Sequence, residues 1–276
     1  MTGKASDEID LEAEYNNRAR VPDHPATMAR WRESAEAARA AHPPTPIAYG
    51  PGEREVMDLF EPVPDAPVAV FLHGGYWQAL DRSWFSWVAP ALLHHGVSVA
   101  VPSYDLAPTV RLGTILKQVR AAVDLIRARS GRRPVVFGHS AGGHMSACML
   151  SEARASAALA ISGVFDLRPL VHTSLNDALK LDANEAAALS PIFWPVPNGS
   201  TPGGTVLDCV VGGDESPEFL RQSRMMADHW ANNGVETRYE ALAGLNHFTV
   251  LDPLFDPGSA LVRRIVELAS PRHPRA

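Results

Sequence analysis

The run "PVAVFL" (67–72) is apolar without interruption, as in a strand buried on both faces. It begins an alternation that limits what this chain can fold into more than any other feature. "SWFSWVAPALLHHG" reads as a helix closed by Gly96, and "VSVAVPSY" as the next strand. "TILKQVRAAVDLIRAR" spaces Ile115, Val119, Ala122, Val123 and Ile126 as one helical face. Strand "RPVVFGHS", helix "AGGHMSACMLSEARA" and strand "AALAISGV" follow, then strand "TVLDCVVGG", helix "SPEFLRQSRMMADHWANNG", strand "ETRYEALAG" and closing helix "ALVRRIVELAS". Strands and helices joined by short connections predict an α/β fold, a mostly parallel central sheet flanked by helices.

The alternation breaks once, over residues 165–203, a stretch too long for an ordinary connection. Its Phe165, Leu167, Leu170, Leu175, Phe193 and Trp194 predict a small packed lid insertion. Residues 1–45 form a polar extension with a helix in "ATMARWRESAEAARAAH", stopped by "PPTP". Residues 46–276 are expected to be a single domain, since a chain of 276 residues can bury one sizeable core. The extension is expected either to dock a second subunit, giving a homodimer, or to line a pocket.

Composition excludes several classes of partner. Lys and Arg number 25 against 31 Asp and Glu, a net charge of −6, so nucleic acid is not expected. No apolar run approaches the ~18 residues of a membrane span. The first residues are polar and acidic, unlike a signal peptide. Cys148 and Cys209 are too few for a disulfide framework or a cysteine metal site. The expectation is a cytoplasmic protein without metal or cofactor that acts on a small molecule.

"VVFGHSAGG" carries the chemistry. Its Gly138-His139-Ser140-Ala141-Gly142 is a G-x-S-x-G between a strand and a helix, the setting of a nucleophile elbow. A serine lifted off the top of a sheet needs a strained backbone. Glycines two before and two after it remove the Cβ atoms that would clash where strand meets helix. The bare pattern recurs by chance, so its strand–turn–helix context supplies the specificity.

A serine hydroxyl needs a base to take its proton. His247, in "LNHFTVLD" after the last strand, fits the chain order nucleophile, acid, histidine. His139 sits in the elbow strand, and His144 and His229 lie on helices. The acid should follow "TVLDCVVGG", where Asp214 and Glu215 are adjacent. Either would orient the imidazole and stabilise its charged form. Residue type favours Asp214, for which a helix N-cap is the structural alternative.

"HGGYWQ" (73–78) supplies the remaining part. Acyl transfer builds negative charge on the carbonyl oxygen, where preset N–H donors lower the barrier by several kcal/mol. The loop resembles the HGGG loop of esterases with Tyr76 at the last glycine. Donors are expected from the amides of Gly75, Tyr76 and Ala141. Tyr76, Trp77 and Phe248 are the expected substrate-pocket walls because they flank these residues, while Trp84, Phe165 and Trp194 are left open. His73 is expected to hold the loop by hydrogen bonds.

Taken together, "HGGYWQ", "GHSAGGHMSACML", "SGVFDLRPLVHTSLNDALKL" and "ESPEFLRQS" resemble the kynurenine formamidase (arylformamidase) family of α/β-hydrolases. The third stretch is the most specific, because a lid segment has no reason to recur in general esterases. The likeness runs from about residue 65 to 250. It implies an α/β-hydrolase fold and a hydrolase that cleaves N-formyl-L-kynurenine to L-kynurenine and formate through a formyl-enzyme. It also implies Ser140 as nucleophile, His247 as base and Glu215 as acid, with Asp214 the alternative. Many members have Asp at the acid position, so Glu215 departs by one methylene, and many have Ala where this chain has Gly143. The same residues would serve a short-chain carboxylesterase. A non-catalytic binding protein of this fold usually lacks a triad member, and here all are present.

Overall fold

The computed structural model describes residues 9–196 and 205–270. Residues 197–203 of the expected lid insertion lie outside them. Eight strands form one sheet: β1 (Thr45–Ala48), β2 (Val56–Phe60), β3 (Val68–Leu72), β4 (Ser98–Pro102), β5 (Val135–His139), β6 (Ala157–Ile161), β7 (Val206–Gly212) and β8 (Glu236–Leu242). Their order is β1-β2-β4-β3-β5-β6-β7-β8. The pairings β1–β2 and β2–β4 are antiparallel, and from β4 to β8 every pair is parallel. This is the mostly parallel sheet expected from the alternation.

Period-two geometry sorts each strand's side chains between two cores. In β3, Val70 and Leu72 join the core on one face, while Ala69 and Phe71 join the other. Helices α1 (Leu11–Tyr15), α2 (Asn17–Arg20) and α3 (His24–Ala41) come from the N-terminal extension. They are followed by α4 (Ala89–His94), α5 (Leu112–Ser130) and α6 (Ala141–Ser151). Helices α7 (Asn176–Leu179) and α8 (Ala183–Ala188) precede α9 (Pro217–Ala231) and α10 (Ala260–Ala269). Residues of α5, α6 and α9 build the first core, and those of α3, α4 and α10 the second. The predicted face of α5 is buried at all five positions, and Gly131 ends the helix with φ +68°.

Three elements differ from the sequence expectation. The helix expected from residue 83 starts at Ala89, preceded by 3-10 turns at Arg82–Trp84 and Ser86–Val88. Pro90 sits in its first turn, where a missing N–H costs nothing, so the helix begins around it. Strands β1 and β2 were not visible in the pattern. Asp58 interrupts the apolar run of β2, yet its carboxylate is 1% exposed and paired with Arg39 and Arg82. Burying that charge is tolerable only because both cations are present. The Arg39 bond also ties α3 to the sheet.

The segment after β6 is largely packed. Phe165, Leu167 and Leu170 are fully buried, but Phe193 is 51% exposed, under the Arg168 guanidinium. An aromatic ring covered by a cation this way needs no core position. Among the described residues, no helix is long and apolar enough to cross a membrane.

Candidate active site

The carboxyl ends of the parallel strands carry the site, where α/β sheets place their ligand clefts. Between β5 and α6, Ser140 has φ +56° and ψ −116°. Such a backbone costs on the order of 1–3 kcal/mol and persists only where the surroundings impose it. The glycines explain how. A Cβ on Gly142 would lie 1.8 Å from the Leu72 carbonyl oxygen, and one on Gly138 would lie 2.5 Å from that of Gly142. Strand and helix therefore close tightly around the serine. Ser140 is the N-cap of α6, so its backbone sits at the helix's positive end.

His247 follows β8. Its Nδ1 lies 2.6 Å from Glu215 Oε2. The other carboxylate oxygen, Oε1, accepts from Ser162 Oγ at 2.5 Å and from the Gly212 amide at 2.7 Å. A carboxylate with three donors is satisfied although its side chain is fully buried. Because the carboxylate accepts, Nδ1 carries the proton and Nε2 is the basic nitrogen. Phe219 packs against the imidazole with ring centroids 4.6 Å apart.

Asp214 is exposed, and its amide donates to the Leu245 carbonyl. It does not cap α9 either, since Ser216 does. One residue of register separates the two carboxylates, and the turn buries the second.

Ser140 and His247 line one cavity of about 270 Å³. Gly75 (φ +103°) and Tyr76 (φ +49°) border it as well. The loop comes close to Ser140: a Cβ on Gly74 would lie 3.1 Å from its Cβ. Among the described residues, the amides of Gly75, Tyr76 and Ala141 donate to no protein acceptor. Fully buried His73 makes a 2.8 Å hydrogen bond from Nδ1 to the Gly74 carbonyl, while the Tyr104 hydroxyl donates to the His73 carbonyl. Burial pushes its pKa down to about 4, so it serves as a neutral strut.

Of the expected pocket walls, Tyr76 and Phe248 line the cavity and Trp77 does not. Trp77 is fully buried in the core, edge-on to His144 at 5.1 Å. Its own φ of +57° follows that of Tyr76, and the twisted loop carries the indole inward. Phe165 is also core, Trp84 packs beside Arg32, and the Trp194 indole donates to the Ala188 carbonyl.

The cavity's other walls were not legible as such. Met28 and Trp31 come from the extension, Leu80 and Phe85 from beyond the glycine loop, and Leu175 from the segment after β6. The extension thus lines the pocket, one of the two placements expected for it. Tyr76 Oη donates to the Tyr15 carbonyl, and Tyr15 Oη donates to Glu218 Oε2, both at 2.7 Å. Gln222 Nε2 donates to Tyr15 Oη in turn.

His139 also borders the cavity and was not expected to take part. Its Nε2 donates to the His247 carbonyl at 2.8 Å. Burial, with the nearby His247 adding to it, holds its pKa well below that of an ordinary imidazole. A histidine directly before the serine was the available signal.

Comparison with known proteins agrees with this architecture. The profile of the α/β-hydrolase fold family matches residues 69–251. The chain is 29% identical to the kynurenine formamidase of Salmo salar over 239 residues, 80% of each protein. It is also 29% identical to that of Drosophila melanogaster, over 225 residues and 75% of each. A solved Silicibacter sp. structure bearing a provisional thioesterase label is 36% identical, with a TM-score of 0.85. That match covers 94% of this chain and 99% of the other. With its fold, its family profile and these relatives in agreement, the chain belongs to the α/β-hydrolase fold family.

Proposed function

We propose that this hydrolase cleaves an aryl formamide, N-formyl-L-kynurenine in particular, by a Ser140–His247–Glu215 triad. The observation that carries the reading is the single cavity holding Ser140, His247 and the unengaged Gly75 and Tyr76 amides, with Glu215 buried behind the imidazole. Ser140 Oγ attacks the formyl carbon as its proton passes to His247 Nε2. The oxyanion is held by the amides of Gly75, Tyr76 and Ala141. Collapse breaks the C–N bond, and His247 returns the proton to the departing arylamine. Water, deprotonated by His247, then attacks the formyl ester, releasing formate and restoring Ser140.

Two features favour a formyl group on an aromatic amine. The close approach of Gly74 to Ser140 suits the smallest acyl group. Trp31, Phe85 and Phe248 offer the amine side an aromatic wall. The named activity of the curated relatives points the same way.

The deciding measurement is turnover of N-formyl-L-kynurenine and of 4-nitrophenyl acetate, each beside Ser140→Ala. A formamide preference of at least tenfold in kcat/KM, about 1.4 kcal/mol, abolished by the substitution, is expected. Preference for the ester would instead assign the chain to short-chain carboxyl-ester hydrolysis. Activity surviving in Ser140→Ala would remove the triad from the account.

A further inference from the structure

We infer that Arg18 determines specificity by reading a carboxylate on the amine portion of the substrate. This rests on the reading of the cavity as a serine-hydrolase site. Histidines aside, Arg18 is the only ionisable group of formal charge at neutral pH among the described residues lining the cavity. It is exposed, which places it at the rim.

Among the described residues no carboxylate pairs with it. The two acidic residues that most closely precede it in the chain are occupied elsewhere. Glu12 accepts from the Ser174 amide and hydroxyl, while Glu14 accepts from the Glu218 amide and lies 3.7 Å from Arg20. In a protein of net charge −6, a guanidinium with no partner among the described residues, beside a cavity they leave otherwise uncharged, gives a local field suited to an anion.

The adjoining residue strengthens the case. Asn17 is 4% exposed and lines the same wall, with Nδ2 donating to Tyr76 Oη at 3.3 Å. Its Oδ1 is buried without a partner. A buried amide oxygen left unsatisfied is costly, and a bound donor would relieve it. The extension therefore adds a polar end to the cavity, in addition to its aromatic wall of Trp31, Phe85 and Phe248. A guanidinium and a free carbonyl oxygen suit an amino-acid-like group, with the carboxylate on the guanidinium.

The position is also structurally permissive. The Arg18 side chain makes no hydrogen bond or ion pair to the described residues, so its replacement removes charge without breaking the fold. The latches that hold the segment belong to its neighbours: Tyr15 on Glu218, Glu12 on Ser174 and Asn17 on Tyr76.

The test compares N-formyl-L-kynurenine with its carboxamide, which is similar in shape and lacks the negative charge. Phenyl acetate and 3-(4-acetoxyphenyl)propionate form a second pair, uncharged and carboxylated. In the wild type the acid is expected to exceed the carboxamide at least tenfold in kcat/KM. Arg18→Gln should collapse that ratio, through KM rather than kcat, and Arg18→Lys should restore part of it. Added salt should shrink the wild-type ratio but not that of Arg18→Gln.

A wild-type ratio near one, or an Arg18→Gln ratio equal to the wild type's, overturns the inference. If neither formamide is turned over while the carboxylated ester shows the Arg18-dependent advantage, the formamidase reading fails and this one stands. If formamides are cleaved with no charge preference, the reverse holds.

Discussion

Glu215 and His247, 32 residues apart, meet at 2.6 Å, while Asp214 next to Glu215 is exposed to solvent. The cause lies in the turn after β7. Gly212 offers its amide to Glu215 Oε1, and a Cβ at Gly212 would lie 2.3 Å from the Leu245 carbonyl oxygen. The two loops can approach only with glycine there. Glu215→Gln should lower kcat by about 10²–10⁴-fold, because the amide no longer enforces the imidazole tautomer. Asp214→Asn should stay within about twofold of wild type. Steady-state kinetics of both variants decide it, and the opposite ranking would transfer the acid's role to Asp214.

His139 holds the His247 backbone from behind through a single N–H, which makes it a positioning residue. His139→Phe removes the donor, whereas His139→Gln retains one. The Phe variant should lose about tenfold in kcat and show a shifted acidic limb in the kcat/KM pH profile. The Gln variant should recover most of both. Equal losses with an unmoved profile would reduce His139 to packing.

Two glycines of α6 should differ sharply in tolerance. A Cβ on Gly142 meets the backbone carbonyl of Leu72 at 1.8 Å, so Gly142→Ala should prevent folding to a soluble product. A Cβ on Gly143 meets Gly163 Cα at 2.8 Å, a smaller overlap that a slight backbone shift can relieve. Gly143→Ala should fold and lose about 1–3 kcal/mol. Soluble yield of both variants and the melting temperature of Gly143→Ala rank them, and equal yield and stability would show that the helix moves freely over the sheet.

Buried neutral histidines predict an acid-side loss of stability. Burial pushes His73 and His144 from 6.5 down to about 4 and holds His139 well below 6.5. Between these limits the unfolded chain binds protons that the folded chain refuses. Unfolding is therefore favoured as pH falls from 6.5 toward 4, by at most about 1.4 kcal/mol per unit for each histidine. Above 6.5 these groups contribute no slope. Glu218, held low by Arg221, loses its contribution only below its ordinary 4.5, outside most of this window. Urea midpoints at pH 7.5, 6.5, 5.5 and 4.5 should be level and then decline, with a shallower decline in His144→Gln. A flat midpoint from 6.5 to 4.5 would contradict the burial of these rings.

Much of the frame was legible because its causes are local. The strands from β3 onward and the amphipathic α5 repeat within windows of a few residues. The Ser140 turn is likewise written in its own glycines. Strand β2 escaped because Asp58 breaks its apolar run, and only two arginines from elsewhere in the chain make that burial tolerable. Trp77 misled for a related reason. Adjacency to the glycine loop does not say which way a ring turns when consecutive residues have positive φ.

Sequence alone determined the alternating α/β frame, the serine elbow and the chain order serine, carboxylate, histidine. These depend on periodicity and on steric demands within a single turn. Tertiary structure decided which of two adjacent carboxylates faces the imidazole, and that the N-terminal extension forms a wall of the cavity. Those outcomes depend on contacts such as Tyr15 with Glu218, 203 residues away, where loop closure and packing bring together groups that no local window contains.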